Sequence, residues 1–205
     1  MHVMRGFALA AGVLGLVALS ALPARAAEIT PASGEIAAGY SYLKDNTGGT
    51  SFPAGWFFSA GAHINEGFAV VGDISGNYKS ETASAGGVTV TGSAKVHTFL
   101  AGPRMMGRAG PLAFYGQFLV GAATVSAGVN ATGVGPSLNV SASDTQFCFA
   151  PGAGVDVPVT SAAALRVGMN SRLIRSNATA SSGVTSGSWA TEVQVQVGLV
   201  VRFGQ

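Results

Sequence analysis

Few residues of this chain could do chemistry, and two histidines beyond the N-terminal segment are the first candidates. His63 follows Ser59 by four residues, a combination that would suit the base and nucleophile of a hydrolase. On a strand, positions four apart are separated by about 13 Å, so these two side chains cannot share a hydrogen bond. We therefore predict no catalytic residue and expect His63 to be a packed or rim histidine. His97 is expected near a rim in the opposite register, with Lys95 nearby.

Charged side chains of both signs recur at strand positions and form the second candidate set. The acids could act as paired carboxylates in acid–base catalysis. Ion pairs that fill a narrow interior would explain the same acids and the arginines as well, so we favour that interpretation. These residues are Glu35, Asp73, Asp156 and Glu192, with Arg104, Arg166, Arg172 and Arg202.

The motifs give no support for metal, nucleotide or thiol chemistry. The glycine-rich segments "GVGP" and "GAGVD" do not precede a helix with phosphate-binding spacing. No Cys/His cluster has the spacing of metal ligands, so we predict neither a cofactor nor a metal. The single cysteine, Cys148, excludes an internal disulfide framework and is expected to be a small interior residue.

The composition indicates a surface that water alone does not cover. Of the 205 residues only 10% are charged, against about 25% in ordinary soluble domains. Hydrophobic residues make up 48% and the mean hydropathy is +0.41, so lipid or a partner subunit must cover apolar surface. Without Arg5 and Arg25, the chain has as many acidic as basic residues, which gives no electrostatic case for nucleic acid.

The first residues resemble an export signal. Arg5 precedes an apolar run over residues 6–22, and Pro23 is followed by Ala24-Arg25-Ala26, which has the form of an A-x-A cleavage site. We predict a signal peptide over residues 1–26 and a mature domain over 27–205; an uncleaved N-terminal helix is the alternative. No later segment approaches about 18 uninterrupted apolar residues, so any further membrane crossing must use strands.

Eight segments with a period of two, or with small and aromatic residues, recur at even intervals. They span residues 34–44, 55–65, 68–79, 95–106, 112–125, 144–157, 163–175 and 190–203. Their lengths suit tilted strands that cross a bilayer, which need roughly 9–11 residues. Long connections at 45–54, 80–94, 126–143 and 176–189 alternate with short ones, as in outer-membrane barrels with long external loops. A soluble meander with the same loop order is the alternative.

The closing segment "TEVQVQVGLVVRF" (191–203) indicates which face is wet. Valines alternate there with Glu, Gln and Arg, and the other strands likewise separate large apolar groups from charges and glycines. Eight strands closed into a barrel leave an interior just wide enough for side chains, so the charged face fits inside and the apolar face fits lipid. We predict an all-β, eight-stranded antiparallel up-and-down transmembrane β-barrel. Its interior network is predicted to comprise Glu35, Asp73, Arg104, Gln117, Asp156, Arg166, Asn170, Arg172, Glu192, Gln194, Gln196 and Arg202.

The segments "VGDISGNY", "TFLAGPRM", "PGAGVDV" and "VQVGLVVRF" resemble strands of the small outer-membrane β-barrel domain family, with OmpA- or OmpX-like architecture. The resemblance covers residues 34–203. It implies the outer membrane of a Gram-negative-type bacterium, embedding in its lipid bilayer, and assembly by the barrel-assembly machinery. Members of the family commonly end in an aromatic residue that this machinery recognises, and Phe203 matches that position, although Gly204 and Gln205 follow it.

Four functions are compatible with these patterns. The leading hypothesis is a monomeric structural or surface-interaction protein whose interior is filled and whose flexible polar loops could meet an external ligand. A narrow pore for ions or small solutes is the second, and a membrane-embedded hydrolase the third. The fourth is a soluble, exported barrel of lipocalin type.

Overall fold

The computed structural model describes residues 34–133, 137–179 and 185–204, and nearly all of them lie in β-strands. The predicted signal peptide therefore lies outside the described residues. In the described part of the chain, no helix is long and apolar enough to cross a membrane. The strands are β1 (Gly34–Asp45), β2 (Ser51–Phe52), β3 (Ala54–Asn65), β4 (Phe68–Ala85), β5 (Val88–Ala109), β6 (Leu112–Thr132), β7 (Leu138–Pro158), β8 (Ala163–Thr179) and β9 (Thr185–Phe203).

Eight of these strands close into a ring. Each long strand pairs antiparallel with the next long strand, and β1 also pairs with β9. At this closure Gly34 lies opposite Phe203 and Glu35 lies opposite Arg202. The predicted eight-stranded antiparallel barrel is confirmed. We call one end of the barrel the short-turn end; it carries the start of β1, the end of β9 and the turns β3–β4, β5–β6 and β7–β8. The opposite end is called the long-hairpin end.

The short strand β2 closes part of the long-hairpin end. It pairs with Leu43 and Lys44 of β1, which brings Phe52 into a buried cluster with Leu43 and Val96. Two hydrogen bonds join the preceding turn to β9: the backbone Asn46 N donates to Thr191 O at 3.0 Å, and the backbone Thr191 N donates to the side-chain Thr47 Oγ1 at 3.0 Å. The segment 45–54, predicted as a flexible loop, thus contains an ordered cap.

The prediction of a long loop at 80–94 is wrong. Strand β4 runs to Ala85 and β5 begins at Val88, so Gly86 and Gly87 alone make the turn, with φ values of 59° and 79° that suit glycine. The predicted loops 126–143 and 176–189 are also mostly strand, because β6, β7, β8 and β9 extend into them. Their remaining segments, 134–136 and 180–184, lie outside the described residues. The barrel wall therefore continues as hydrogen-bonded hairpins where irregular loops were expected.

The two faces of the strands differ as predicted at the level of the ring. On β9, Gln194 and Gln196 are buried, whereas Val195 and Val197 remain 37% and 41% exposed. The same alternation leaves large apolar side chains on the outside of the other strands, including Ile36, Phe118, Leu165 and Met169. A soluble protein would hide these groups, so this distribution is typical of a barrel that meets lipid.

Candidate functional site: the barrel interior

The interior of the barrel concentrates buried charge. Alternation on each strand sends every second side chain inward, and the glycines among them leave room for long ones. Arg104, Arg166 and Arg172 are among the largest fully buried side chains of the described residues. Buried charges are costly unless they are paired, so the arrangement of partners determines what this interior can do. The buried charged residues are Glu35, Asp73, Arg104, Asp156, Arg166, Arg172 and Glu192.

Five charged residues form one connected group near the short-turn end, which we call the short-turn cluster: Glu35, Arg104, Asp156, Arg166 and Arg202. Arg166 donates two hydrogen bonds to Asp156, from Nε to Oδ1 at 2.8 Å and from Nη2 to Oδ2 at 2.9 Å. The same Nη2 donates to Glu35 Oε1 at 2.8 Å. Arg104 also pairs with Glu35, and Arg202 Nη2 donates to Asp156 Oδ2 at 2.6 Å. Each carboxylate therefore has at least two arginine partners.

Tyr115 contacts two arginines of this cluster. The guanidinium carbons of Arg104 and Arg166 lie 4.5 Å and 4.7 Å from the centre of its ring, within the range of cation–π contact. The ring occupies space that two glycines leave open, because a Cβ at Gly154 would lie 2.5 Å from Tyr115 Cζ and one at Gly168 would collide with its hydroxyl. Tyr115 therefore packs against both arginines in the space that these two glycines provide.

A chain of amides crosses the interior from the short-turn cluster to the long-hairpin half. Arg104 Nε donates to Gln117 Oε1 at 2.9 Å, and Gln117 Nε2 donates to Asn170 Oδ1 at 2.8 Å. Asn170 Nδ2 donates to Gln194 Oε1 at 3.2 Å, whose Nε2 donates to Ser41 Oγ at 2.7 Å. Asn77 then donates through Nδ2 to the Ser41 carbonyl at 3.1 Å. The chain joins six strands across the lumen, and such linked hydrogen bonds strengthen one another.

The second charged group is looser and consists of Arg172, Asp73 and Glu192. Arg172 lies opposite Glu192 in the pairing of β8 with β9, yet its one side-chain hydrogen bond in the described structure runs from Nη2 to Ser75 Oγ at 2.6 Å. Gln196 Nε2 reaches Asp73 Oδ2 at 3.5 Å. Arg172 Nε, Asp73 Oδ1 and Glu192 Oε2 are buried without hydrogen-bond partners among the described residues. This half of the interior is thus polar but weakly connected.

The candidates for catalysis are not brought together. Ser59 lies opposite Asp73 on β4, while His63 lies opposite Ala69, and His63 Nε2 is 3.8 Å from Glu35 Oε2. In the described part of the chain, no group of three or more His, Cys, Asp or Glu residues could hold a metal ion. Cys148 is buried in an apolar cluster with Leu100, Leu119 and Ile174.

Several interior residues were missing from the set predicted from sequence. Tyr115, Ser41, Asn77, Ser75 and Thr98 all face inward and are buried. Period-two alternation places them on the inward face, since each stands an even number of positions from a predicted interior residue of its own strand. Their part in the network depends on contacts across the lumen, which alternation does not predict.

The outside of the ring carries an aromatic cluster toward the long-hairpin end. Trp56 Nε1 donates to Tyr78 OH at 3.1 Å, and Tyr78 OH lies 3.1 Å from His97 Nε2. Beyond it the outward residues change character: on β6, Val120 is followed by Thr124 and Ser126. Aromatic belts of this kind lie at the interface between membrane and water. His97 and Lys95 are therefore outward-facing residues at this boundary.

A closed ring of eight antiparallel strands with buried charges inside and an apolar outside defines a transmembrane β-barrel protein. The chain belongs to the outer membrane protein beta-barrel domain family, whose model matches residues 11–203. The resemblance predicted from the sequence is confirmed, as is the location in the outer membrane of a Gram-negative-type bacterium. None of the curated proteins matches the sequence significantly. Because long connections of such barrels are external, we expect the short-turn end to be periplasmic and the long-hairpin end to be external.

Solved structures with similar folds are outer-membrane proteins. Ail, the attachment invasion locus protein of Yersinia pestis, is 17% identical, with a TM-score of 0.52 over 85% of this chain and 100% of Ail. Ail in complex with the heparin analogue sucrose octasulfate gives 19% identity and a TM-score of 0.51 over the same shares of the two chains. Neisserial surface protein A is 16% identical, with a TM-score of 0.47 over 83% of this chain and 96% of that protein. At these identities the likeness concerns the fold.

Proposed function

We propose that this protein is a closed barrel that acts as a binding protein at the cell surface. The observation that carries the proposal is the interior network, in which the short-turn cluster and the amide chain join strands on all sides of the lumen. An eight-stranded barrel has room for its interior side chains and little else, so a network of this extent leaves no open path for solutes. The predicted interior residues serve in this proposal as the plug.

The external hairpins supply the surface for binding. Strands β4, β5, β6 and β7 continue beyond the aromatic cluster as one antiparallel sheet, which ends at the turn Gly86–Gly87, at Thr132 of β6 and at Leu138 of β7. Hydrogen-bonded strands hold their side chains in fixed positions, whereas flexible loops would have to be ordered on binding. A preformed sheet outside the membrane therefore suits recognition of an external ligand better than irregular loops would.

The external charges argue against a polyanion as that ligand. Cations at Lys44, Lys79, Lys95 and Arg175 are nearly balanced by Asp45, Glu81 and Asp144, so the described external residues form no basic patch of the kind that sulfated polysaccharides require. The sulfated ligand of Ail is thus not transferred to this chain. The name of Ail as an attachment protein agrees with a surface role but adds only the likeness of fold.

Two further parts of the proposal concern assembly. Phe203 lies at the periplasmic end of β9, half-exposed on the lipid face, a position that suits recognition by the barrel-assembly machinery. We also propose a monomer, because the ring closes on itself through β1 and β9 and needs no second chain to complete the barrel.

Conductance in planar lipid bilayers tests the closed barrel. The wild-type protein is expected to show no stable open steps under an applied voltage. Arg166→Ala removes the residue that joins Glu35 to Asp156 and is expected to produce flickering current, with Ser141→Ala on the external sheet as the silent control. Stable steps from the wild-type protein would favour the narrow pore and overturn the proposal.

Attachment assays with cells that carry the protein test whether the external sheet of β4–β7 is the binding surface. Shortening the β4–β5 hairpin at the pair Ser80–Ser93, with a two-residue Asn-Gly turn in place of 81–92, removes the outer part of the sheet and preserves the ring. Loss of attachment with normal barrel assembly is expected. Unchanged attachment to every surface that the wild type adheres to would contradict a role of this sheet.

A further inference from the structure

On one face of the external sheet of β4–β7, small and aliphatic side chains predominate. The pairing of these strands continues from the ring to the hairpin tips without a shift of register. Alternation is therefore unbroken, and the face that points into the lumen lower down points over the mouth of the barrel further out. The polar residues Lys79, Glu81, Asp144 and Gln146 also lie on this face, on the two flanking strands. Its apolar and glycine residues are Ala83, Ala85, Val88, Val90, Gly92, Ala94, Ala127, Val129, Ala131, Leu138, Val140 and Ala142.

These residues form a continuous patch, which we call the inner apolar patch. The register places Val90 opposite both Ala83 and Ala131, and Ala131 opposite Leu138, in one row across four strands. In the next row Val129 lies opposite Gly92 and Val140. Directly opposed side chains in a sheet are close enough to touch, so each row is continuous across the strands. Leu138 and Val140 are nevertheless 60% and 56% exposed, so the described structure leaves the patch uncovered.

The outer face of the same strands has the opposite character. Thr82 and Thr91 are hydrogen-bonded at 3.1 Å, and Ser126 and Ser143 at 3.0 Å. A lipid or a second barrel standing beside this one in the membrane meets that hydroxyl-rich face. The inner apolar patch is turned over the barrel mouth, so its occupant must come from the external medium.

The chemistry of the patch distinguishes between the possible occupants. Protein interfaces depend on aromatic and arginine side chains at their centre, and none of the residues of the patch is of either type. Small-molecule sites are lined by apolar side chains with a few polar groups at the rim. Here the rim has the ion pair of Lys79 with Glu81 at 2.9 Å and the contact of Asp144 with Gln146 at 2.7 Å, on the two flanking strands.

The patch is also continuous with apolar groups at the top of the lumen. Ala94 belongs to it and packs, together with Val125, against the cluster of Leu43, Phe52 and Val96. An apolar molecule on the patch would therefore rest against Phe52 above the closed interior.

We propose that the inner apolar patch binds an uncharged aliphatic molecule taken from the external medium. This inference deepens the proposed surface-binding function and rests on it. The hydrophobic effect provides the affinity, because five aliphatic side chains that are now wet, Val88, Val90, Val129, Leu138 and Val140, would be covered.

The test uses 1-octanol as the probe and the whole protein in phosphatidylcholine nanodiscs, followed through the methyl NMR signals of Val and Leu. Octanol also dissolves in the bilayer, so lipid-facing methyls such as Leu199 are expected to shift in proportion to concentration. Methyls of the patch are expected to shift with saturation. Val140→Asp places a charge in the patch and should weaken the saturable binding by about tenfold or more, whereas Ser141→Asp, one residue along on the outer face, should not.

Three outcomes would overturn the inference. The first is the absence of saturable shifts at the patch, and the second is an equal effect of Val140→Asp and Ser141→Asp. The third is wild-type protein that crosslinks as a dimer through the patch, which would mean that a second copy covers it. Failure of the proposed function can be told apart from failure of this inference. It would appear as stable conductance of the wild-type protein, or as unchanged attachment after the hairpin is shortened, and neither result depends on the octanol measurement.

Discussion

The ring within the membrane and the sheet outside it are built from the same strands, yet the characters of their faces are reversed. In the ring, Gln117 of β6 faces inward and Phe118 faces lipid. Further along the same strand, Val129 faces inward and Ser126 faces outward. The register does not change between these points, so the backbone is not the cause. Each outward face suits its surroundings, lipid or water, and each inward face has the opposite polarity.

The reversal also separates two ways of stabilising a β-structure. Inside the ring, polar groups are buried and the stability depends on ion pairs and hydrogen bonds in a narrow space. In the external sheet both faces are largely exposed, so backbone hydrogen bonds and small cross-strand contacts predominate. Substitutions of the same kind should therefore differ greatly in cost between the two regions.

The greatest loss is expected inside the ring, at the short-turn cluster. Asp156→Ala removes the partner of two Arg166 nitrogens and of Arg202, so it leaves buried positive charge uncompensated. We expect destabilisation of about 3–5 kcal/mol in urea unfolding from lipid vesicles. Asp156→Asn together with Arg166→Gln should cost much less. A double-mutant cycle with zero coupling between these two residues would exclude the paired arrangement.

The lipid-facing side should respond next most strongly. Val195→Arg puts a cation on the outer face near the middle of β9, at an expected cost of about 2–4 kcal/mol. Gln196→Arg places the same side chain inside, where Asp73 is close to Gln196. Refolding yield and unfolding free energy of the two variants measure the difference. The opposite order would mean that the faces of the ring are assigned the wrong way round.

Crowding of the interior predicts a smaller difference between two glycines. Gly168→Ala would direct a methyl group into the hydroxyl of Tyr115, and we expect it to cost about 1–3 kcal/mol. Gly116 lies on the outer face with nothing within 4 Å of an added Cβ, so Gly116→Ala is the matched control. It should be neutral or stabilising by about 0.5 kcal/mol. Equal losses in thermal unfolding would indicate that Tyr115 is not confined by these strands.

The external sheet should tolerate what the ring does not. Val140→Arg repeats the valine-to-arginine change of β9 at an exposed position outside the membrane, and we expect an effect within about 0.5 kcal/mol. Ser141→Arg on the opposite face serves as its control. A loss at Val140 comparable to that at Val195 would show that the inner apolar patch is covered in the native protein.

Much of the ring could be predicted from sequence, because its alternation is strong and its charges are few. Positions such as Gln194, Val195 and Gln196 have side chains so different that the two faces separate at once. The contacts within the interior were harder to predict. Alternation predicts that Arg172 points inward, but not that it donates to Ser75 rather than to the opposing Glu192. That choice depends on side-chain geometry across the lumen.

The external hairpins were predicted wrongly for a physical reason. The segment "VTVTG" at 88–92 alternates strictly between valine and threonine. It has no large side chain, and it lies among Ser, Ala and Gly residues whose composition is typical of loops. Valine and threonine both favour strands, and the Gly86–Gly87 pair favours a tight turn, so the signal was present. Outside the membrane no lipid requires large apolar side chains on the outward face, so these strands have the composition of a loop and the periodicity of a strand.

The seam between β1 and β9 has a consequence for how this protein is made. Glu35 joins Arg104 and Arg166 across sequence separations of 69 and 131 residues, and its own strand cannot pair with β9 until the end of the chain has arrived. Closure of such long loops makes folding slow, because the entropy is lost before the contacts form. Until then the edge of the first strand that will face β9 stays unpaired. The seam is therefore where the nascent chain is most exposed to mispairing, and a factor that assists insertion would act most usefully there.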